Sequence, residues 1–393
     1  MLSSHVHVNH RDLIPYLNDT QFEFRDSVNR FLENHANPEY IRECDENKAF
    51  PKQLIDAVAE QGWFAVSLPE EYGGIGGHMD MIAMLEILGY HSVALSRYWN
   101  MNVNMIGGAI ALFASEDIKQ MTLPGLAEGK TFFAFALSEN GSGSDAASLK
   151  TKGRIEGEEL VINGTKNWIT GALQADYILT ACRTQVGESK HDGISLVLIP
   201  ADTPGVSISP IDMLGGHAIR TCEVNLVDVR VPKTYLVGDL HQGWKQVMSV
   251  LSKERIALGA MCVGAAQAAY DLSANYAMDR HQFGRSITKF QAVSHKLVDM
   301  QTSIEASRLL VFRAAKLLEE GIPCSREASQ AKYFASDTYM KVATDGLQVM
   351  GANGYCTEYA MERHFREAKL FQIFGGTNEI QRNIIAGDLF SGA

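Results

Sequence analysis

The spacing of apolar residues changes twice along this chain, and these changes limit the possible fold more than any other feature. Up to about residue 130, apolar residues recur every three to four positions, as in amphipathic helices. From Phe132 they alternate in short runs bounded by Gly, Pro or Asp, which is typical of strands. From about Gly243 the helical spacing returns. The pattern predicts an α+β protein with three domains: 1–130 all-α, 131–240 β, and 241–393 all-α.

Local signals add detail to this outline. Thr20 is a plausible N-cap of the first helix, and a long helical zone follows from about Met79 to Lys119. Asn163-Gly164 between β-prone residues predicts a hairpin turn. We expect the middle domain to be an antiparallel β-barrel or sandwich, and the C-terminal helices to form a bundle.

Composition restricts the partners and the compartment. The formal net charge of −11 argues against nucleic acid or an anionic membrane as the main partner. Six scattered cysteines without a CxxC pair favour free thiols in a reducing, cytoplasmic environment. We expect no membrane helix, because no apolar run approaches the roughly 20 residues that such a helix needs. His5, His7 and His10 are interpreted as part of a polar leader, and no metal site is predicted.

A loop of small polar residues follows the first strand-like run. It reads LSENGSGSD over Leu137–Asp145, and Trp168 lies further along the same β region. Gly141 and Gly143 allow a ligand to approach the backbone N–H groups closely. Such a loop near an aromatic face suits a planar ring with polar edges, such as a flavin. Taken alone, most loops of this composition are only turns.

This loop, together with Trp168-Ile169-Thr170, resembles the flavin-binding signature of the acyl-CoA dehydrogenase family. The resemblance extends over nearly the whole chain, through Pro69–Gly74, Arg280–Gly284 and Gly376-Thr377. It implies the family fold of an N-terminal helical domain, a middle β domain and a C-terminal four-helix bundle. It also implies FAD as cofactor, an acyl-CoA substrate, an electron-transfer flavoprotein as partner, and a homotetramer built as a dimer of dimers.

The same resemblance assigns residues to the cofactor. Residues around the isoalloxazine and phosphates would be Phe135, Leu137, Ser138, Gly143 and Ser144, with Trp168 and Thr170 against the ring. Residues holding the pyrophosphate and adenosine of a neighbouring subunit's FAD would be Arg280, Gln282, Phe283 and Gln291. Matching adenosine-side contacts would come from Gln348, Gly351, Thr377 and Glu379. Ser144 would also touch the pantetheine arm of the substrate.

The position of the catalytic base departs from the commonest family pattern. Many members carry a Glu in a Tyr-Glu-Gly-Thr motif, whereas this chain has Phe-Gly-Gly-Thr at Phe374–Thr377. Isovaleryl- and long-chain-type members instead carry the base in a Glu-Arg pair on a helix, and Glu254-Arg255 matches that pair. The resemblance therefore implies that Glu254 is the base, that Arg255 orders the site, and that the Gly375 N–H binds the thioester oxygen. Two alternatives remain open: Glu254 is a surface residue, or α-proton abstraction has been lost.

A further resemblance concerns substrate choice. Arg97 resembles the cationic residue with which glutaryl-CoA dehydrogenases and a sulfinopropionyl-CoA desulfinase bind a distal anion. The other interpretation is a surface arginine stacked on Tyr98 or Trp99, because arginine is mostly exposed and packs on aromatic rings.

Other functions on the same fold remain as alternatives. Cys44–Gly74 and Thr221–Val224 look similar to bacterial members related to crotonobetainyl-CoA reductase, so the reaction could run toward reduction. Flavin monooxygenases and desulfinases share the fold, but the presence of Glu254 argues against them. A non-catalytic flavoprotein that binds nucleic acid is disfavoured by the charge of −11.

Overall fold

A computed structural model describes residues 15–390. Along the chain, helices come before and after a β-rich segment. The predicted order of helices, strands and helices is confirmed. His5, His7 and His10 lie outside the described residues. The helices before the strands are α1 (Asp19–His35), α2 (Pro38–Glu46), α3 (Lys52–Glu60), α4 (His78–His91), α5 (Val93–Trp99), α6 (Gly108–Phe113) and α7 (Glu116–Ala127). Those after the strands are α8 (Gly243–Asp279), α9 (Gln291–Glu319), α10 (Ser325–Met350), α11 (Met361–Phe371) and α12 (Asn378–Leu389).

The chain divides into two compact units that do not coincide with the linear order. The helical unit contains the described residues up to Arg42, then His78–Arg97, and the described residues from Ser252 onward. The β unit contains Glu43–Gly77 and Tyr98–Leu251.

Glycines allow the helices of the helical unit to approach closely. A Cβ atom at Gly264 of α8 would lie 1.8 Å from the carbonyl oxygen of Glu86 on α4, and one at Gly259 would lie 2.8 Å from Val311 on α9. Any larger residue at these positions would force the helices apart. In the same unit, α10 packs on α9, α11 and α12. The result is a helical bundle in which α8 packs closely against α4 and α9.

Helix α8 also corrects an expectation about apolar runs. By length and composition it could span a membrane, but 78% of its most apolar 18-residue window is buried inside the protein. The alanine- and glycine-rich sequence of α8 suits tight packing against neighbouring helices. We therefore interpret α8 as a core helix.

The β unit is built on one mixed sheet. Its strands are β1 (Phe133–Ala136), β2 (Lys152–Glu156), β3 (Glu159–Thr170), β4 (Tyr177–Arg183), β5 (Ile194–Pro200), β6 (Val206–Pro210), β7 (Thr221–Pro232) and β8 (Leu236–Val237). They are ordered β6-β7-β3-β2-β4-β5-β8, and β1 pairs with β4. Most pairs are antiparallel, as predicted, but β1 and β2 run parallel to β4. Side chains from β1, β3, β4, β5 and β7 share one apolar core.

The hairpin predicted at Asn163-Gly164 is wrong. The β2–β3 turn lies at residues 157–158, and Asn163-Gly164 falls inside β3 at a register shift against β7. The Asn163 side chain exchanges two hydrogen bonds with Asp228, at 3.0 and 2.9 Å, so it stabilises a bulge instead of a turn. A Cβ at Gly164 would lie 2.4 Å from Thr151 Oγ1, so close approach requires the glycine.

Two predictions on the early helices also need correction. The N-cap of α1 is Asn18 instead of Thr20, because Asn18 forms a reciprocal capping box with Gln21. The zone expected to be helical from Met79 is interrupted by a π-helix, Asn100–Gly107. Within it, Asn102 Oδ1 accepts a 2.6 Å hydrogen bond from the Phe133 N–H and so ties this segment to β1.

Two short strands form a hairpin in the helical unit. β9 (His281–Gln282) pairs antiparallel with β10 (Arg285–Ser286). The turn between them is occupied by Phe283 and Gly284, with φ of 52° and 77°. Left-handed conformations at both central residues are those of a type I′ turn.

Candidate active site

The Ser/Gly loop, Leu137–Asp145, leaves the end of β1 and is held by a buried lysine. Lys166, on β3, donates to the Leu137 carbonyl oxygen at 3.0 Å and to Glu139 Oε1 at 2.9 Å. The side chain of Lys166 is fully buried. This lysine was not predicted from the sequence. The available signal was a lysine within an otherwise strand-forming segment.

Glu139 completes this clamp. Its carboxylate also accepts hydrogen bonds from the backbone N–H groups of Lys150 and Thr151, at 2.6 and 2.9 Å. Burial raises the pKa of Glu139, but the ammonium of Lys166 and these hydrogen bonds outweigh burial and leave the pKa below its usual range. The carboxylate is therefore ionised at neutral pH, and the ion pair fixes the start of the loop.

Trp168 has a strained backbone beside this clamp. Its φ is 63°, and it lies in a register shift between Lys166 and Ile169. The adjacent Asn167 N–H donates to the Ser138 carbonyl oxygen at 2.9 Å, which ties the bulge to the loop. The indole is 44% exposed. A bulky residue held in the left-handed region indicates a functional constraint.

The loop fits a planar polar cofactor. Ser142 Oγ is buried, and the described residues offer it no hydrogen-bond partner. Gly141 and Gly143 do not have positive φ. A Cβ at either glycine would meet nothing within 4 Å, so the space beside them is open. Open space, an unpaired hydroxyl and the exposed face of Trp168 match what a flavin ring requires.

In the helical unit, Glu254 and Arg255 occupy α8 and are 5% and 7% exposed. The interpretation of Glu254 as a surface residue is therefore wrong. Burial lowers the pKa of Arg255, and the carboxylate of Glu254 opposes this shift. Arg255 Nε has no hydrogen-bond partner within residues 15–390. The pair is buried and electrostatically coupled, as a positioned general base requires.

The Gly-Gly loop, Phe374–Thr377, connects α11 to α12 and lies against α8. Gly375 and Gly376 have φ of 64° and 80°. A Cβ at Gly375 would lie 2.3 Å from Leu258 Cδ1, and Leu258 follows Glu254 by one helical turn. The structure therefore brings Gly375 to the face of α8 that carries Glu254.

Arg97 is buried, so its interpretation as a surface residue is wrong. It is 5% exposed, and its guanidinium lies 5.9 Å from the centre of the Phe374 ring. Its Nη1 lies 3.7 Å from Glu367 Oε2, which is too long for a hydrogen bond. Nε and Nη1 make no hydrogen bond to the part of the chain described. Burial lowers the pKa of Arg97, and Glu367 opposes the shift.

The residues predicted to contact the adenosine half of the cofactor lie at the surface of the helical unit. The exposed members are Arg280, Gln282, Phe283, Gln291, Gln348, Gly351 and Glu379. Phe283 is 93% exposed and occupies the left-handed turn between β9 and β10. Thr377 has a structural role as well, since its hydroxyl accepts a 3.3 Å hydrogen bond from Ile380 N–H as the N-cap of α12.

A surface cleft of about 410 Å³ in the β unit was not predicted. The rings of His191 and Trp244 lie 5.2 Å apart along it, and Lys245 and His241 also line it. An aromatic face beside a lysine can bind a nucleotide. The available signal was the aromatic and basic pair Trp244-Lys245 at the start of a helix. Across residues 15–390, no group of three His, Cys, Asp or Glu side chains is placed to hold a metal ion.

Comparison with known proteins places the chain in a family. Residues 18–130, 134–229 and 241–390 match the N-terminal, middle and C-terminal domains of acyl-CoA dehydrogenase. The chain belongs to the acyl-CoA dehydrogenase family, whose members use FAD.

Individual relatives align over nearly the full length. A probable acyl-CoA dehydrogenase, YngJ of Bacillus subtilis, is 38% identical over 93% of this chain and 96% of its own. The caffeyl-CoA reductase-Etf complex subunit CarC of Acetobacterium woodii is 32% identical over 95% and 99%. The structure of butyryl-CoA dehydrogenase from Megasphaera elsdenii superposes with a TM-score of 0.91 at 33% identity, covering 95% of this chain and 99% of that one.

Proposed function

We propose that this protein is an FAD-dependent acyl-CoA dehydrogenase that uses Glu254 as its base. The observation that carries this assignment is the buried Glu254 on the face of α8 that packs against Gly375. Removal of an α-proton from a thioester needs a positioned base and donors for the thioester oxygen, where negative charge develops. Glu254 supplies the first, and the backbone N–H of Gly375 supplies the second.

The remaining residues position and shield the reactants. Bound FAD supplies the acceptor for the β-hydrogen as hydride. The Ser/Gly loop and Trp168 hold the ring, and the Lys166–Glu139 pair keeps that loop in place. Burial of Glu254 limits competing proton exchange with water.

The cleft lined by His191 and Trp244 would take the nucleotide end of coenzyme A. Its aromatic face suits the adenine ring, and Lys245 suits a phosphate. We expect His191→Ala to raise the KM for butyryl-CoA and leave the KM for the corresponding pantetheine thioester unchanged.

The direct test is flavin bleaching by thioesters without oxygen. Butyryl-, isovaleryl-, palmitoyl- and glutaryl-CoA are mixed separately with the purified holoenzyme, and the visible absorbance of the flavin is followed. Loss of absorbance with at least one thioester is expected. A flavin that no thioester reduces, but that enoyl-CoA reoxidises after chemical reduction, would instead support a reductase.

The reductase alternative rests on one specific observation. A relative named as a caffeyl-CoA reductase subunit covers 95% of this chain. The chemistry is reversible, so the same base and donors would serve either direction. The particular likeness to crotonobetainyl-CoA reductase stays a prediction.

We also propose the partners implied by the resemblance. The exposed, strained Phe283 and its polar neighbours Arg280 and Gln282 suit contact with a neighbouring subunit's cofactor, as in a homotetramer. Analytical ultracentrifugation of wild type and Phe283→Ser tests this.

The relative that forms part of an Etf complex supports an electron-transfer flavoprotein as acceptor. The unpaired state of all six cysteines supports a cytoplasmic location, which cell fractionation tests.

A further inference from the structure

A second buried lysine lies beneath the Gly-Gly loop. Lys332, on α10, is 1% exposed. Its ammonium donates to the carbonyl oxygen of Gly376 and to Asn378 Oδ1, both at 2.9 Å. Among residues 15–390, no carboxylate lies within ion-pair distance of Lys332. The ammonium therefore pairs only with neutral oxygens, one in the Gly-Gly loop and one at the first residue of α12. Burial of a charge without an opposite charge costs free energy, so a purely structural contact would not require a lysine here.

The carbonyl oxygens of the two loop glycines, Gly375 and Gly376, accept hydrogen bonds from side chains of α10 and α12. Gln381 Nε2 donates to the carbonyl oxygens of Gly375 and Gly376, at 3.1 and 3.0 Å. By contrast, the Gly375 N–H has no acceptor in the described part of the chain. Gly375 and Gly376 both have left-handed backbone conformations, and N–H groups in turns can form a concavity that binds an anion. In a trans peptide the carbonyl oxygen of one residue and the N–H of the next point in opposite directions. These contacts therefore orient the N–H groups of Gly376 and Thr377 and anchor the backbone next to the Gly375 N–H.

We propose that Lys332 is a positioning residue that fixes the Gly-Gly loop so that the Gly375 N–H meets the thioester oxygen, and that its charge favours the negative charge developing there. This inference rests on the proposed function, because it assumes a thioester oxygen at Gly375. Lys332 touches neither substrate nor base. It acts through the peptide group of Gly376 and through its electrostatic potential.

The charge of Lys332 titrates in an accessible range. Burial lowers its pKa to about 8, while Cys262 on α8, Asp337 on α10 and Glu379 on α12 oppose the shift and Arg255 on α8 adds to it. At pH 7 the ammonium is charged, and it loses its proton as the pH rises past 8. Stabilisation of the enolate should therefore weaken over that interval.

The test uses 3-thiabutyryl-CoA, whose α-proton can be removed but whose sulfur replaces the β-carbon, so that no hydride is transferred. The resulting enolate gives a long-wavelength charge-transfer band with oxidised flavin, and its intensity reports enolate stabilisation. In Lys332→Gln we expect the enolate equilibrium to fall by about tenfold or more, less than the 10²–10³ typical of losing a direct oxyanion donor. FAD content should change little.

Two further variants separate positioning from general structural support. Lys332→Arg keeps a charge that does not titrate below pH 12, so we expect it to retain part of the band and to lose the decline near pH 8. Ser336→Ala is the matched control, because Ser336 Oγ also contacts Asn378 Oδ1, at 3.1 Å, but does not contact Gly376. Its pH profile should equal that of wild type.

The outcomes are distinguishable. If wild type forms no band with the probe, the proposed function fails before Lys332 is tested. If wild type forms the band and Lys332→Gln forms it equally well at every pH, the positioning role is wrong. A decline near pH 8 that persists in Lys332→Arg would also overturn the role of the Lys332 charge.

Discussion

Each compact unit holds one loop with a fully buried lysine, and the two lysines face different partners. Lys166 in the β unit donates to the Leu137 carbonyl and to an ionised carboxylate, Glu139. Lys332 in the helical unit donates only to neutral oxygens. The first arrangement is a closed ion pair that rigidifies a cofactor loop. The second leaves a net positive charge beside a loop predicted to stabilise an enolate. A buried lysine therefore acts as a structural clamp where a carboxylate faces it, and as a source of electrostatic potential where only neutral oxygens face it.

The largest effect expected is on chemistry alone, in the helical unit. Glu254→Gln should reduce the rate of anaerobic flavin bleaching by about 10²–10⁴, the usual contribution of a general base. FAD should remain bound, because the loop held by Lys166 is untouched. Stopped-flow absorbance measures the rate, and Glu319→Gln, at an exposed residue on α9, serves as control. Near-normal bleaching would place the base elsewhere.

The next effect is on stability, in the β unit. Lys166→Met leaves Glu139 buried without its cation, and breaking such a pair costs about 3–5 kcal/mol. Urea unfolding should show this loss together with weaker FAD binding. The double variant Lys166→Met/Glu139→Gln should recover part of it, because no buried charge remains. A single variant within 1 kcal/mol of wild type would contradict the view that the pair is a clamp.

Much of the fold followed from residue spacing, because helices and strands impose different periods on apolar residues. The hairpin at Asn163-Gly164 failed because the Asn163 side chain satisfies the backbone of Asp228 across the sheet, a contact between residues far apart in sequence. The parallel pairing of β1 with β4 could not be predicted for a similar reason, because it depends on which strands meet in the folded protein.

The candidate site could likewise be predicted only in part. Glu254 and Gly375 came from motif resemblance, and their proximity became visible only through Leu258. Lys166 and Lys332 were not found, because a buried lysine looks like a surface lysine until its environment is known. Assignments of the remaining cofactor contacts stay predictions.

A third prediction concerns how the free energy of unfolding depends on pH through Lys332. The pKa of Lys332 falls from 10.5 to about 8 on folding, so between those values the unfolded chain binds more protons and stability rises with pH. The shift corresponds to an upper limit of about 3 kcal/mol. Burial lowers the pKa of Lys253 to about 8 as well, which adds a rise of the same sign. Urea unfolding from pH 7.5 to 10.5 should therefore show a steeper rise in wild type than in Lys332→Met. Equal slopes would mean that Lys332 is not shifted.

A fourth prediction concerns the buried Arg97 and its neighbour Glu367. If Arg97 binds the distal anion of a substrate, Arg97→Met should lower the ratio of kcat/KM for glutaryl-CoA over butyryl-CoA by about tenfold, since an apolar residue leaves the anion unpaired. Glu367 lies 3.7 Å away and competes for the guanidinium, so Glu367→Gln should move the ratio in the opposite direction. A ratio that neither substitution changes would exclude Arg97 from substrate choice.

The smallest expected effect comes from moving the catalytic carboxylate from α8 to the Gly-Gly loop. Moving the carboxylate, as in Glu254→Gly/Gly375→Glu, should give little recovery, because a Cβ at Gly375 would lie 2.3 Å from Leu258 Cδ1 and the φ of 64° disfavours a side chain. Adding Leu258→Ala removes the obstructing methyl group but not the backbone strain. We therefore expect the triple variant to bleach the flavin only about tenfold faster than the double variant, in the anaerobic assay used for Glu254→Gln. Leu258→Ala alone is the control, and equal rates for the double and triple variants would show that the loop geometry, and not the leucine, prevents a base at position 375.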